Sequence, residues 1–345
     1  MMRAMALEYP TDSSTYGLTQ QYMFGGNLLV APVMNQGETN KSLYLPQGDW
    51  IDFWYGAQRP GGRTISYSAG VDDLPVFVKS GSILPMNLNA SYQVGGTIGN
   101  SLTSYTNLSF RIYPLGTTTY DWNDDIGGSV KTITSTEQYG LSKETVSVPA
   151  INQTKTLQVF TTKPSSVTVG GTAMTEYSSL SSLISASTGW FYDTVQKFTY
   201  VKLGASASAQ SVVLNGVNKV EYEAEFAAQT GVSTNTNHTG YMGTGFVDSF
   251  DAVGKSVSFD VSVKAAGTYT MKVRYSSGGG NGSRAIYVNN SKITDLTLPL
   301  TTNWDTWGTA TVSVTLNAGL NTVKVSYDST SSLGINLDNI AIMEQ

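Results

Sequence analysis

Three glutamates alternate with apolar residues in Glu221, Tyr222, Glu223, Ala224, Glu225, Phe226. Read as a strand, the run puts its carboxylates on one face about 6.6 Å apart, with Tyr222, Ala224 and Phe226 on the other. A row of like charges repels itself, which leaves two readings. One is an edge strand that uses charge to refuse further pairing. The other is a pair of glutamates sharing a divalent cation with a distant acid, because calcium takes about six to eight oxygens and close sequence neighbours rarely supply them all. Asp338 is a suitable third acid, in a last strand (334–340) whose apolar residues are Ile335, Leu337 and Ile340. The run Thr-Gly-Tyr-Met-Gly-Thr-Gly-Phe at 239–246 has three glycines that let carbonyls approach a hard cation, or form a tight turn. Together these features favour a calcium site over an idle charge row.

Other chemistries find little support. With no cysteine, the chain has no disulfides, thiolate metal sites or thiol nucleophiles. The single histidine, His238, lies in the polar run 235–239 and reads as a surface residue, with no serine or threonine in a recognisable relay with it. A glycosidase needs two carboxylates about 5 to 9.5 Å apart flanking the scissile bond. The adjacent pairs Asp72–Asp73 and Asp124–Asp125 point to opposite faces if extended, and read as turn residues. A net charge of −5 without a clustered Lys/Arg face argues against a nucleic-acid partner, and none is expected. No apolar stretch approaches the roughly 18 residues of a membrane span, so no membrane partner is expected. A basic segment leading into an apolar one, as in an export signal, is absent from the N-terminus. The low charge content is extracellular in character, so the expectation is a secreted bacterial protein whose signal lay upstream.

The elements that position these residues are strands. Only 13% of the 345 residues are charged, whereas Gly (35) and Tyr (20) are abundant and 40% are hydrophobic, as in globular chains of short strands and turns. That length predicts two or three domains. A short helical pattern at 20–23 precedes the apolar run 28–33. Strands at 42–46, 50–54, 63–67 and 74–79 follow at intervals of about ten residues, the spacing of a sandwich. Residues 27–108 are therefore expected to form a first β-sandwich. A second, at 109–204, begins with the alternating Leu108, Phe110, Ile112 and continues through strands near 118–122, 145–148, 157–161, 166–169 and 198–203. The small-residue stretch Gly-Ala-Ser-Ala-Ser-Ala-Gln at 204–210 predicts a linker over 205–218. Residues 219–345 form the third set, with clean alternation in Val257, Phe259, Val261, Val263 and in Val312, Val314, Leu316. The fold class is all-β, tandem sandwiches with a short helical remnant at the N-terminus.

Several motifs of the third set carry a resemblance: EYEAEF at 221–226, Gly-Tyr-Met-Gly at 240–243, RAIYVN at 284–289, NWDTW at 303–307, NAGLNT at 317–322 and NLD at 336–338. In combination they resemble carbohydrate-binding module family 35, or the related family 6. The resemblance implies a jelly roll with a structural calcium and a sugar site made by loops. By motif, Glu223, Glu225 and Asp338 would be calcium ligands, and Tyr241, Arg284, Trp304 and Asn336 sugar contacts. The chemistry is consistent, since a pyranose offers a C–H face to an aromatic ring and a hydroxyl rim to amide and guanidinium groups. Trp304, between Asn303 and Asp305, reads as a loop residue facing ligand, whereas Trp307 opens the strand 309–316 and reads as core.

The upstream part has its own resemblance, carried in order by MRAMALEYP at 2–10, QYMFGGNLLVAPV at 21–33, Tyr44-Leu45-Pro46 with Gly48 and Trp50, Asp52-Phe53-Trp54, and LPVFVKSGSILP at 74–85. These are similar to the end of the catalytic barrel and the following sandwich of glycoside hydrolase family 31, so residues 1–26 would be a barrel remnant. Tyr120 to Gly127 resembles that family's Asp-Asp-Gly turn in the distal sandwich, with Ile126 intervening. The family's catalytic aspartates lie on the barrel, upstream of this chain's start, so the expectation is a part that is non-catalytic alone. Its implied partners are an α-glucan or isomaltose-type oligosaccharide and the catalytic barrel of a parent resembling α-glucosidases and transglucosylases. Two alternatives stay open: an enzyme completed by a separate barrel chain, and an adhesive or structural sandwich without sugar specificity.

Overall fold

The computed structural model describes residues 2–69, 73–95, 105–122 and 130–343. Strands dominate, as the alternation predicts, but their grouping is not sequential. The chain forms two compact units, one of Met1–Lys79 together with Glu221–Glu344, the other of Ser80–Val220.

In the first unit the N-terminal part builds a six-stranded sheet in the order Met2–Ala4, Tyr22–Phe24, Leu28–Val30, Val76–Lys79, Asp49–Asp52, Gln58–Pro60, with a separate antiparallel pair Asn40–Leu45 and Arg63–Ser68. Met5, Met23, Leu29, Leu43, Leu45, Trp50 and Phe77 form its core. The Trp50 indole satisfies its N–H on the Pro46 carbonyl at 2.8 Å, as a buried indole must. The short helix lies at Met5–Glu8, whereas the expected helical pattern at 20–23 runs into the strand Tyr22–Phe24. That strand is hydrogen-bonded on both sides, to Met2–Ala4 and Leu28–Val30, and cross-strand pairing overrides weak local preference. Residues 1–26 thus supply two strands of this sheet as well as the short helix. At the end of Gln58–Pro60 the chain turns so tightly that a Cβ on Gly61 would lie 1.8 Å from the Pro46 carbonyl oxygen. Backbone cannot yield as a flexible side chain can, so Gly61→Ala is expected to cost about 3 kcal/mol, read as a lower urea midpoint.

The C-terminal part of this unit is a sandwich of two antiparallel sheets. One runs Ser233–Asn235, Phe246–Phe250, Ile335–Met343, Gly267–Ser276, Gly308–Leu316, and the other Ala228–Thr230, Ser256–Val263, Gly319–Ser326, Gly282–Val288, Ser291–Leu298. Val257, Phe259, Val261 and Val263 face Val273, Leu337, Ile340 and their neighbours in one core, so the period-2 pattern marks the inner face as expected. Its two ends meet: Tyr222–Glu223 pairs with the last strand, Tyr222 opposite Ile340 and Glu223 opposite Asn339.

The second unit pairs a five-stranded sheet (Gly189–Asp193, Phe198–Leu203, Lys155–Phe160, Leu108–Ile112, Ile83–Asn87) with a six-stranded one (Thr117–Trp122, Lys131–Gln138, Lys143–Val148, Gln210–Asn215, Ser166–Val169, Thr172–Ala173). Two expected boundaries change here. Ile83–Asn87 pairs with Leu108–Ile112 residue by residue, so it joins the second sandwich and the division falls at Lys79 rather than at 108. The expected linker 205–218 contains Gln210–Asn215, an interior strand held between Lys143–Val148 and Ser166–Val169 with Val212 and Leu214 fully buried. Its six residues hold only a short apolar run after a series of small ones, and its partners lie far away in sequence, so the local signal was too brief to mark it as an interior strand. Among the described residues no helix is long and apolar enough to cross a membrane.

Lys155 is almost fully buried in this unit, its ammonium donating to the Gly204 carbonyl at 2.9 Å. Burial pulls its pKa down to about 8. The unfolded chain therefore binds a proton that the folded chain has released between that value and the ordinary lysine value of about 10.4, and stability contributed at this site rises with pH across the window. The expected result is a urea midpoint whose rise from pH 8 to 10, relative to Lys155→Met, is positive.

Candidate functional site

The run 221–226 does not stay extended. Only Tyr222–Glu223 is strand, and Ala224–Phe226 is a 3-10 turn. That break takes Glu225 out of the expected strand row and leaves it, with Glu223, beside the loop at 240–245. Gly243, at φ +70°, lies so close over them that a Cβ would be 2.5 Å from Glu225 Oε1 and 3.1 Å from Glu223 Cδ. Thr244 donates its amide (2.8 Å) and hydroxyl (3.2 Å) to Glu225 Oε1. From the last strand, the fully buried Asp338 accepts the Met242 amide on both oxygens at 3.1 and 3.2 Å. It also accepts the Asn339 amide at 3.2 Å and an ion pair from Arg274.

This is an electrostatically loaded spot. Burial pushes the Glu225 carboxyl up to about 7, the Thr244 amide opposes the shift, and the charge of Asp338 adds to it. Glu225 Oε2 is buried without a hydrogen-bond partner, a costly state for a carboxylate oxygen. An orphaned oxygen, a glycine cradle and all-oxygen donors from two strands and a loop fit a hard cation. Among the described residues, no three His, Cys, Asp or Glu side chains by themselves form a ready metal cage. Backbone carbonyls or water would have to complete any coordination.

Beside it the aromatic residues gather. Trp304, half-buried, lies on the backbone of Gly278 and Gly279, where a Cβ would come within 2.8 Å and 3.6 Å of the indole. His238 faces it at 6.3 Å between ring centroids, tilted 31°. Asp305 fixes this corner by accepting the Thr239 amide at 2.8 Å and approaching His238 Nδ1 at 3.3 Å. The Thr239 amide foremost, with His238 adding, holds its carboxyl below the usual range. Trp307 is not wholly core as expected but half-buried. It donates its indole N–H to the Thr239 carbonyl at 2.8 Å, packs edge-on against Phe246 at 5.4 Å and carries the Arg274 guanidinium 5.2 Å above its ring. Tyr241, also half-buried, packs on Phe246 at 5.6 Å.

Of the other expected sugar contacts, Asn336 lies at the end of the last strand opposite Ser276. It is 6% exposed, and its side-chain nitrogen has no hydrogen-bond partner. Arg284 is placed differently. It is fully buried, sandwiched between the Phe250 and Tyr327 rings at 4.7 Å each. Its guanidinium donates to the carbonyls of Ser283 (2.6 Å), Ser332 (3.1 Å) and Phe250. A guanidinium committed to backbone carbonyls and closed off from solvent ties strands together, so the expected sugar contact at Arg284 is corrected to a structural role. Asp72, Asp124 and Asp125 lie outside the described residues.

Sequence reasoning missed Arg274, which joins the two halves of the site. It binds Asp338, donates to the Gly240 carbonyl at 2.8 Å and covers Trp307. It also set His238 aside as a surface residue. The phase of Arg274 in Gly267–Ser276 marks it as outward-facing, but its partners come from three other segments. No spacing within its own strand could reveal them.

Two sandwich units, one carrying buried acids beside loop-borne aromatics, define the class of accessory, carbohydrate-binding regions of glycoside hydrolases. Residues 1–84 match the glycosyl hydrolase family 31 C-terminal domain and residues 220–342 match carbohydrate binding module family 35. The chain carries a family 31 C-terminal-type domain and a family 35-like module, matching a part of larger glucan-active enzymes. It is 86% identical over its whole length to an isomaltosyltransferase of Sporosarcina globispora, covering 32% of that protein. It also superimposes, with a TM-score of 0.95 and 48% identity, on the cycloalternan-forming enzyme of Listeria monocytogenes solved with a pentasaccharide substrate, covering 33% of that chain. A second Listeria monocytogenes structure, solved with α-D-glucose, β-D-glucose, magnesium and calcium, matches at the same TM-score, identity and coverage. The chain thus spans about a third of the length of the relatives it matches.

Proposed function

We propose that this chain is the accessory region of an enzyme that transfers or hydrolyses α-glucosyl or isomaltosyl groups, and that its terminal module binds α-glucan or isomaltose-type oligosaccharide. Trp304 supplies the stacking platform. Asn336 and Tyr241 meet the hydroxyl rim, and Glu223, Glu225 and Asp338 hold a calcium ion that braces the loop at 240–245 beneath it. The observation that carries the reading is the one loop bonded on one side to Glu225 and Asp338 and on the other to Trp307. The whole-chain likeness to an isomaltosyltransferase and to an enzyme solved with a pentasaccharide supports the choice of ligand. A module of this kind raises local substrate concentration for a linked catalytic domain rather than breaking bonds itself. In the same reading the protein acts outside the cell, where glucans too large for uptake are met.

Calorimetric titration of the chain with isomaltotriose and maltotriose, in calcium, is the test. Saturable binding of at least one is expected. Silence with both, in a folded sample, would sink the ligand assignment, and turnover of nitrophenyl α-glucoside by the chain alone would sink the accessory role.

A further inference from the structure

The sugar-binding module of this chain is not strung on a tether. Glu221 to Phe226, the segment by which the chain enters it, lies against the strand Gln58–Pro60 of the N-terminal sandwich, more than 160 residues earlier in sequence. Arg59 Nη1 donates to the Phe226 carbonyl at 2.6 Å, and Gln58 Nε2 reaches the Glu221 carbonyl at 3.5 Å. The Phe226 ring packs on Tyr55 with centroids 6.1 Å apart. A second point lies on the next strand in sequence, Arg63–Ser68, where Arg63 Nη2 meets Asp260 Oδ2 at 2.5 Å.

We propose that Arg59 and Arg63 form a two-point clamp that docks the terminal module on the N-terminal sandwich and fixes the direction in which its ligand face points. The two points differ in strength. Arg63 and Asp260 are each about one-third exposed, and exposed ion pairs contribute little and are screened by salt. Arg59 is more enclosed: burial lowers its pKa while Asp52 and Asp260 oppose the shift. Its bond to the Phe226 carbonyl is charge-assisted, and losing it leaves a partly buried acceptor unmet. Arg59 therefore carries the docking and Arg63 sets its register. A docked module presents bound glucan in one orientation, so the effective concentration it gives a linked catalytic domain is set by geometry rather than averaged over a flexible connection. This inference goes beyond the sugar-binding proposal and does not require it.

The chain contains no cysteine, so nitroxides can be placed at Ser66→Cys and Ser291→Cys, both exposed, and their separation read by pulsed dipolar spectroscopy. One narrow distance distribution is expected for the parent. Arg59→Ala should at least double its width while near-ultraviolet circular dichroism stays unchanged; Arg63→Ala should broaden it mainly at low salt. Should Arg59→Ala fold poorly, Arg63→Asp, which faces Asp260 with a like charge, should broaden the distribution, and adding Asp260→Arg should narrow it again. A broad distribution in the parent, or a narrow one that survives Arg59→Ala and Arg63→Asp alike, overturns the clamp.

Discussion

Removing calcium with a chelator is expected to lower the melting temperature of the unit that carries Glu223, Glu225 and Asp338 by about 5–10 °C. A ligand held at a hundredfold excess over its Kd adds about 2.7 kcal/mol to the folded state, and for a unit of this size each kcal/mol moves Tm by about 2–4 °C. The pH dependence supplies an independent signature. Without the ion, Glu225 titrates near 7 in the folded chain against an unfolded value of 4.5. The folded state then holds more protons than the unfolded one between those values, so stability falls as pH rises from about 4.5 to 7. Calcium bound at Glu225, as proposed, would keep the carboxylate ionised and remove that slope. Glu225→Gln separates the two effects: it should raise Tm in chelator, by deleting a buried charge that faces Asp338, and abolish the rise on adding calcium. A variant that still gains several degrees from calcium would remove Glu225 from the ligand set.

Trp304→Ala is expected to weaken isomalto-oligosaccharide binding about 30-fold, the roughly 2 kcal/mol of a dominant aromatic contact, with Tm almost unchanged because the ring is half-exposed. Trp304→Phe should recover part of the affinity, since the platform persists with less area. Trp307→Ala should behave differently. It deletes the hydrogen bond to the Thr239 carbonyl and the contact with Phe246, so both Tm and affinity should fall. Equal affinities for Trp304→Ala and the parent by titration calorimetry would move the sugar site elsewhere.

These expectations rest on features of unequal visibility in the sequence. The all-β character and the inner faces of Ser256–Val263 and Gly308–Leu316 follow from alternation and turn residues. Those are short-range signals, set by the pleat of a strand and the conformational limits of its turns. Motif order likewise points to the two families that the comparisons show.

The tertiary structure alone decided which acids act together and which segments share a body. The acidic row breaks after Glu223, where a 3-10 turn carrying Glu225 replaces the expected strand. Arg284 leaves the sugar site because three backbone carbonyls and two rings enclose it. Gln210–Asn215 becomes an interior strand through partners more than 40 residues away, and Met1–Lys79 joins Glu221–Glu344 across 141 intervening residues, 80 to 220. In each case the deciding energy comes from pairing and burial between distant segments. Periodicity states which face of a strand is apolar, but not which other strand will cover it.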